Sequence, residues 1–310
     1  MSSADGLRTL ATGLQLPEGP IGMSDGTFLV CEVLGGCVSR IHADGRREVL
    51  ARPGGGPNGA AIGPDGRVYV CNNGGITPAE IAVLMSDAED ATDPGPPSGR
   101  IEVIDPASGA FSVLYSHCDG THLVAPNDLI FDAGGGFYFT DFGSLKVRRP
   151  QPGAVYYARP DGSAIARVAA GLERANGVGL SADGRTLYVA ETYSGSLWAF
   201  DVIAPGVLAR GTGTRCGGRL LYRDPQVQFD SLAVDAEGFI CVATTHRGSV
   251  ARIAPDGSEC THFDVPGQGV TNVCFAGPDL RTAAITEVSA GVLLAIRWPC
   301  PGLPLHFLNE

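Results

Sequence analysis

Six times along the chain a single polar side chain stands before a short apolar run, and each run leads into a tight-turn signal. The segments read LPEGPIGMSDGTFLV, GPNGAAIGPDGRVYV, APNDLIFDAGGGFYF, RANGVGLSADGRTLYV, QFDSLAVDAEGFICV and VTNVCFAGPDLRTAAI. The polar residues in register are Glu18, Asn58, Asn127, Asn176, Asp230 and Asn272. Each apolar run, such as 177–180, has strand length. Five of the turns are built on Asp25-Gly26, Asp65-Gly66, Gly134-Gly135, Asp183-Gly184 and Glu237-Gly238. These residue types tolerate positive φ and favour tight hairpins. Second strands rich in Val, Tyr, Phe and Thr follow, among them RVYVCNN, FYFTDFG and TLYVAET. A third strand comes after a short glycine turn, as at 194–201 and 247–257, and a weaker fourth strand leads to the next polar residue.

A repeat of roughly 40–50 residues with four strands is the signature of a propeller blade. The sixth repeat ends after its third strand, at 292–298. Residues 7–14 lead into Glu18 much as the fourth strand of the first repeat leads into Asn58. The pattern therefore predicts an all-β, six-bladed propeller with four-stranded blades, the last blade completed by the N-terminal strand. Such closure removes open sheet edges. Residues 1–310 read as one closed propeller domain, although the chain is longer than a typical domain. The only stretch with helical character is 77–90.

Composition narrows the partners. The 44 glycines and 22 prolines suit many short strands and turns. The net charge of −11, without a basic cluster, argues against nucleic acid and anionic membrane as partners. No apolar core of a signal peptide and no stretch of ~20 apolar residues occurs. The nine cysteines are odd in number and lack C-x-x-C pairing, so they read as reduced thiols in a cytoplasmic protein rather than disulfides or a zinc site. A monomer or small homo-oligomer is expected.

In a propeller the six polar residues meet around the central channel. Two carboxylates and four amides there are good ligands for a hard divalent cation. The second strand of each blade returns to the same side, so the turns after it also face the site. They carry Tyr193, His246 and Arg247 as candidate substrate contacts, together with Asn58 and Asn272 from the ring itself. In the second repeat this turn expands into residues 74–99, a lid-like insertion. There is no G-x-S-x-G elbow, so a serine nucleophile is not indicated.

The segments LQLPEGP, APNDLIFDAGGGFYFTDFG, ANGVGLSADGRTLYVAET, FDSLAVDAEGFICVAT and TNVCFAGPDLRTAAIT run nearly the whole length of the chain. In this order they resemble the senescence marker protein/gluconolactonase/luciferin-regenerating enzyme family. The resemblance implies one divalent metal ion in the channel (Ca, Zn, Mg or Mn), held by Glu18, Asn176 and Asp230 with Asn127 at the fourth position and Asp128 following it. It implies hydrolysis of a small, sugar-type or related lactone, with Asp230 taking a proton from the attacking water and Asn127 beside it. Sugar lactonases of the family carry an Arg two residues before Asn127, where this chain has Ala125. Phosphotriester hydrolysis on the same metal, or a non-catalytic metal-binding or regulatory role, are the alternative expectations.

Overall fold

Five repeats each fold into their own antiparallel sheet of sequential strands, and the sixth takes its outer strand from the N-terminal segment. The computed structural model describes residues 6–75, 98–144 and 151–309. Its six main sheets are arranged as the blades of a propeller. The first blade comprises Pro17–Gly22, Phe28–Glu32, Cys37–Ile41 and Arg47–Ala51 in sequential order. The innermost strands of blades two to six are Pro57–Ile62, Pro126–Phe131, Ala175–Leu180, Gln228–Val234 and Val270–Ala276. Blade four adds a short fifth strand, Val207–Leu208, paired with Ser196–Ala204.

The ring closes as the sequence pattern predicts. Arg8–Ala11 lies on the outside of blade six, with Arg8 opposite Ala295 and Thr9 opposite Leu294 in Val292–Arg297. Two side-chain hydrogen bonds also bridge the chain ends: Thr271 donates to the Pro17 carbonyl at 3.1 Å, and Asn272 donates to Glu18 at 3.1 Å.

The turns between first and second strands carry glycines with φ of 81°, 73°, 78°, 68° and 83° at Gly26, Gly66, Gly135, Gly184 and Gly238. At the equivalent position of blade six, Leu280 takes the left-handed conformation, at φ 50°. Apolar residues from adjacent blades fill the space between them. Tyr69, Phe131, Phe137 and Phe139 make one such layer between blades two and three, with Tyr69 edge-on to Phe131 at 5.0 Å. Burying each of these rings contributes about 1.5–3 kcal/mol.

Two features of the fold go beyond the sequence pattern. The register of five innermost strands shifts at or just after the polar residue, between Glu18 and Ile21, Pro57 and Ala60, Pro126 and Leu129, Ala175 and Val178, and Phe229 and Leu232, and in blade six just before it, between Val270 and Asn272. The polar residue thus sits inside the strand at an irregularity, not ahead of it, and such a bulge re-aims side chains. The second feature is the C-terminal tail. After Trp298 the chain crosses the face opposite the ring residues. Leu303 N–H donates to the Val234 carbonyl at 2.9 Å, Gly302 N–H to the Leu280 carbonyl at 2.7 Å, and Phe307 packs edge-on to Phe131. The helical expectation at 77–90 and most of the 74–99 insertion lie outside the described residues. The insertion's two ends meet, with Ser98 Oγ donating to the Gly74 carbonyl at 3.3 Å.

Candidate active site

The inner strands pack so tightly around the axis that the position after a ring residue is glycine in three blades. A Cβ on Gly177 would stand 2.6 Å from the Leu232 backbone nitrogen, and one on Gly59 would stand 2.6 Å from the Asn127 carbonyl. This close approach brings the ring residues of separate blades to one place. Glu18, Asn58, Asn127, Asn176 and Asp230 together line a cavity of about 150 Å³ at one end of the channel. That is several times the ~30 Å³ share of one water. Its wall is otherwise largely apolar: Leu16, Val33, Ala125, Phe142 and Val288, with Asn73, Thr192, Gln228, Thr245 and Thr271 interspersed.

The sixth ring residue behaves differently. Asn272 uses its amide N–H on Glu18 and accepts from Val273 N–H at 2.8 Å. It lines a second cavity of about 90 Å³ on the far side of the ring, together with Asp128. Leu303 and Leu305 of the C-terminal tail close that end. Asp128 accepts from Leu129 N–H at 2.9 Å. The structure does not bring His246, Arg247 or Tyr193 into the cavity wall. Arg247 is exposed and approaches Asp264 at 3.7 Å, and Tyr193 is exposed beneath the Arg174 guanidinium at 3.6 Å.

A repeated clamp holds the ring. The side chain of the last residue of the second strand accepts a hydrogen bond from the backbone two or three residues ahead of the ring residue. Glu32 accepts from Gln15 N–H at 2.9 Å, Asn72 from Gly56 at 2.9 Å, Glu191 from Glu173 at 2.7 Å and Glu287 from Gly269 at 2.9 Å. Asp141 accepts from both Val124 and Ala125, at 2.8 and 2.9 Å, and from Gly143 at 2.9 Å. These side chains are buried; Glu32 and Glu191 are also paired with Arg47 and Arg215 at 2.7 and 2.6 Å. Read as a sequence, these residues look like part of the site surface. The structure spends them on the loops that aim it. Blade five breaks the pattern: the equivalent position is Thr244, opposite Ser249 as Glu191 is opposite Ser196, and its hydroxyl donates to the Ser249 carbonyl at 2.7 Å.

The electrostatics of the ring are unbalanced. Burial pushes the Glu18 carboxyl well above its ordinary range, and the neighbouring charge of Asp230 pushes it further. Burial raises Asp230 to about 7, with Asp128 adding to the effect. Burial likewise raises Asp128 to about 7, against hydrogen bonds from Leu129, Ser231 and Val178. Asp230 is half-buried and lines the cavity. No cationic side chain opposes the three among the described residues that act on them.

The amides tell the same story. The side-chain carbonyl oxygens of Asn58 and Asn127 are buried without a hydrogen-bond partner among the described residues. Asn176 donates to Thr192 Oγ1 at 3.0 Å, while its carbonyl oxygen receives only a long contact of 3.5 Å from Ser231. Buried, unpaired acceptors are costly. Acidic groups and unpaired carbonyl oxygens facing one cavity fit a hard divalent cation, which takes oxygen ligands and lowers the pKa of neighbouring carboxyls. Among the described residues no group of three His, Cys, Asp or Glu side chains is poised for a metal. The donor set here is instead carboxylate plus amide.

Comparison with known proteins places this geometry among relatives. Residues 16–289 match the family model described as the SMP-30/Gluconolactonase/LRE-like region. The chain is 30% identical over 259 residues to lactonase drp35 of Staphylococcus saprophyticus, covering 83% of this chain and 71% of that protein. It is 26% identical over 296 residues to gluconolactonase of Zymomonas mobilis, covering 87% and 75%. Among solved structures, a gluconolactonase from Xanthomonas campestris superposes with a TM-score of 0.74 at 25% identity, covering 94% of this chain and 89% of that one. A calcium-binding protein, regucalcin, from Agrobacterium tumefaciens shares the fold at a TM-score of 0.73 and 20% identity, covering 97% of both chains.

Proposed function

The chain belongs to the SMP-30/gluconolactonase/LRE-like family, and from that premise we propose that it hydrolyses a small lactone at the ring cavity, with the help of one divalent cation. The observation that carries this reading is the set of buried acceptors without a partner among the described residues, Asn58 and Asn127, beside two carboxyls of raised pKa, Glu18 and Asp230. Glu18, Asn127, Asn176 and Asp230 would hold the cation, and Asn58 supplies a further oxygen. A cation bound there would polarise the lactone carbonyl and favour ionisation of the attacking water.

The chain's own residues do the rest. Leu16, Val33, Phe142 and Val288 cover the carbon skeleton of a small ring and exclude bulk water. The Asn127 side chain orients the carbonyl. Asp230, open to the cavity, takes a proton from the water as its oxygen bonds to the carbonyl carbon. When the ring C–O bond breaks, Asp230 returns that proton to the departing alkoxide, and the product is a hydroxy acid. Asn272 keeps Glu18 in place from behind.

The test is a panel of small lactones and aryl phosphate esters, followed by pH indicator with and without chelator. Chelator-sensitive lactone opening is expected. Asp230→Asn should lower kcat by at least ~10²-fold, the usual effect of a lost general base. Asp230→Ala should also lose the cation, so comparing the two separates proton transfer from ligation. Full turnover by Asp230→Asn would remove Asp230 from the proton-transfer role. Hydrolysis of the phosphate esters alone would replace the lactone reading.

A further inference from the structure

Arg174 is the one arginine whose guanidinium has a buried nitrogen, Nη1, with no hydrogen-bond partner among the described residues. It stands two residues before Asn176, at the same register as Leu16 before Glu18, Ala125 before Asn127 and Gln228 before Asp230. Those three line the cavity as a tier above the ring, whereas Arg174 stands behind the wall and meets it at Phe142. The backbone repeats too: Leu16 and Arg174 both adopt left-handed φ, 56° and 62°, and both carbonyls accept the N–H of the residue after the second strand, from Val33 and Thr192 at 3.1 Å. A non-glycine residue in that conformation costs energy and is characteristic of functional positions.

The side chain is pinned by aromatic rings rather than by acids. Its guanidinium lies 3.6 Å from the centre of the Tyr193 ring and 5.5 Å from that of Phe142, and Phe142 is part of the cavity wall. Among the described residues no carboxylate pairs with it. The acidic clamp of the same blade, Glu191, is already taken by Arg215 in a two-pronged pair at 2.8 and 2.6 Å. A guanidinium held against aromatic rings and, among the described residues, left without an acid is preorganised for an incoming planar anion.

We propose that Arg174 is a specificity residue that receives an anionic substituent, a carboxylate, on the lactone ring, so that the substrate class is an acidic lactone. This rests on the lactonase reading above. The chemistry at the carbonyl is unchanged; Arg174 holds the far end of the substrate through paired N–H···O contacts while the ring cavity holds the ester.

The experiment compares 5-oxotetrahydrofuran-2-carboxylate with the neutral γ-valerolactone in wild type, Arg174→Gln and Arg174→Lys. For the carboxylate, Arg174→Gln should raise KM by ~10- to 100-fold, the range for a lost charge-assisted contact, with kcat changed far less. The rise should exceed that for the neutral lactone at least tenfold, and Arg174→Lys should recover part of it. Equal effects on both lactones, or a loss confined to kcat, would overturn the proposal. Calorimetric binding of the unhydrolysable tetrahydrofuran-2-carboxylate and tetrahydrofurfuryl alcohol gives a readout free of turnover. Preference for the carboxylate that vanishes in Arg174→Gln upholds the site even if no lactone is opened. Carboxylate binding that depends on added cation but not on Arg174 overturns it. Thermal melts of each variant confirm that the propeller is folded.

Discussion

At the residue scale, the ring combines groups that are costly alone. Glu18 is buried, raised in pKa and touched by Asn272 and Gly19 N–H on one oxygen. Glu18→Gln preserves its shape but removes the charge a cation needs. It should lower cation affinity by at least ~10-fold, since ligand charge count sets affinity. Elemental analysis of never-chelated protein and calcium titration would check this; full stoichiometric metal in Glu18→Gln would rule Glu18 out as a ligand. Asp141 sits at the next level out. It satisfies three backbone N–H groups, and Asp141→Ala would leave them buried and unpaired at about 1–3 kcal/mol each. A loss of at least ~3 kcal/mol in denaturant unfolding is expected, with reduced turnover because Asn127 lies just beyond that loop. An unaltered midpoint would show that water replaces the carboxylate.

At the scale of elements, two chain ends finish the ring. Arg8–Ala11 supplies the fourth strand of blade six. Deleting residues 1–12 would bare the edge of Val292–Arg297, and an open edge invites intermolecular pairing. Light scattering should show aggregation on mild heating. The C-terminal tail has a different task. Trp298 is fully buried against Phe263 and Phe275 at 4.3 and 5.7 Å, and Leu303 and Leu305 beyond it cover the far end of the channel. Truncation before Pro301 leaves all six sheets intact but removes Leu303, Leu305 and Phe307 from the far face. The truncated protein should keep its far-ultraviolet circular dichroism and melt lower. Cation affinity should weaken as water reaches Asp128 and Asn272 from behind. An unchanged melting temperature would make the tail a passenger.

At the scale of the whole molecule, the channel is an acidic well closed by six blades. Without a cation, Asp230 and Asp128 titrate at about 7, against an ordinary value of ~4, and Glu18 is raised as well. Between those pH values the folded protein holds protons that the unfolded chain has released. Their contribution to stability is intact below ~4 and is lost as pH rises through ~7. A bound cation takes the place of the protons. The difference in melting temperature between calcium-loaded and chelated protein should therefore widen from pH 5 to pH 8, by on the order of 5 °C. Carboxylates elsewhere titrate alike in both forms and cancel in the difference. A gap that does not change with pH would mean that the ring does not bind the cation.

The sequence by itself determined the blades, their number and their closure, because strand periodicity and turn chemistry are local and recur six times. It also placed Glu18, Asn58, Asn127, Asn176 and Asp230 in a common register, which the structure turns into one cavity wall. The direction of each side chain was decided only by the tertiary structure. The bulges in the inner strands aim Asp128 and Asn272 at the far cavity, and no spacing rule encodes a bulge. Glu32, Asp141, Glu191 and Glu287 have the composition of site residues, but their partners are backbone groups far along the chain. Arg174 carried no signal of its own, since an arginine at a loop edge is ordinarily solvated. Its meaning comes from Tyr193 and Phe142 beneath it and from the absence of an acid among the described residues. The C-terminal tail, outside the repeat, gained its role only from the face it crosses. Local patterns fix which elements form; which polar groups are left unpaired depends on contacts between blades, and those unpaired groups define the site.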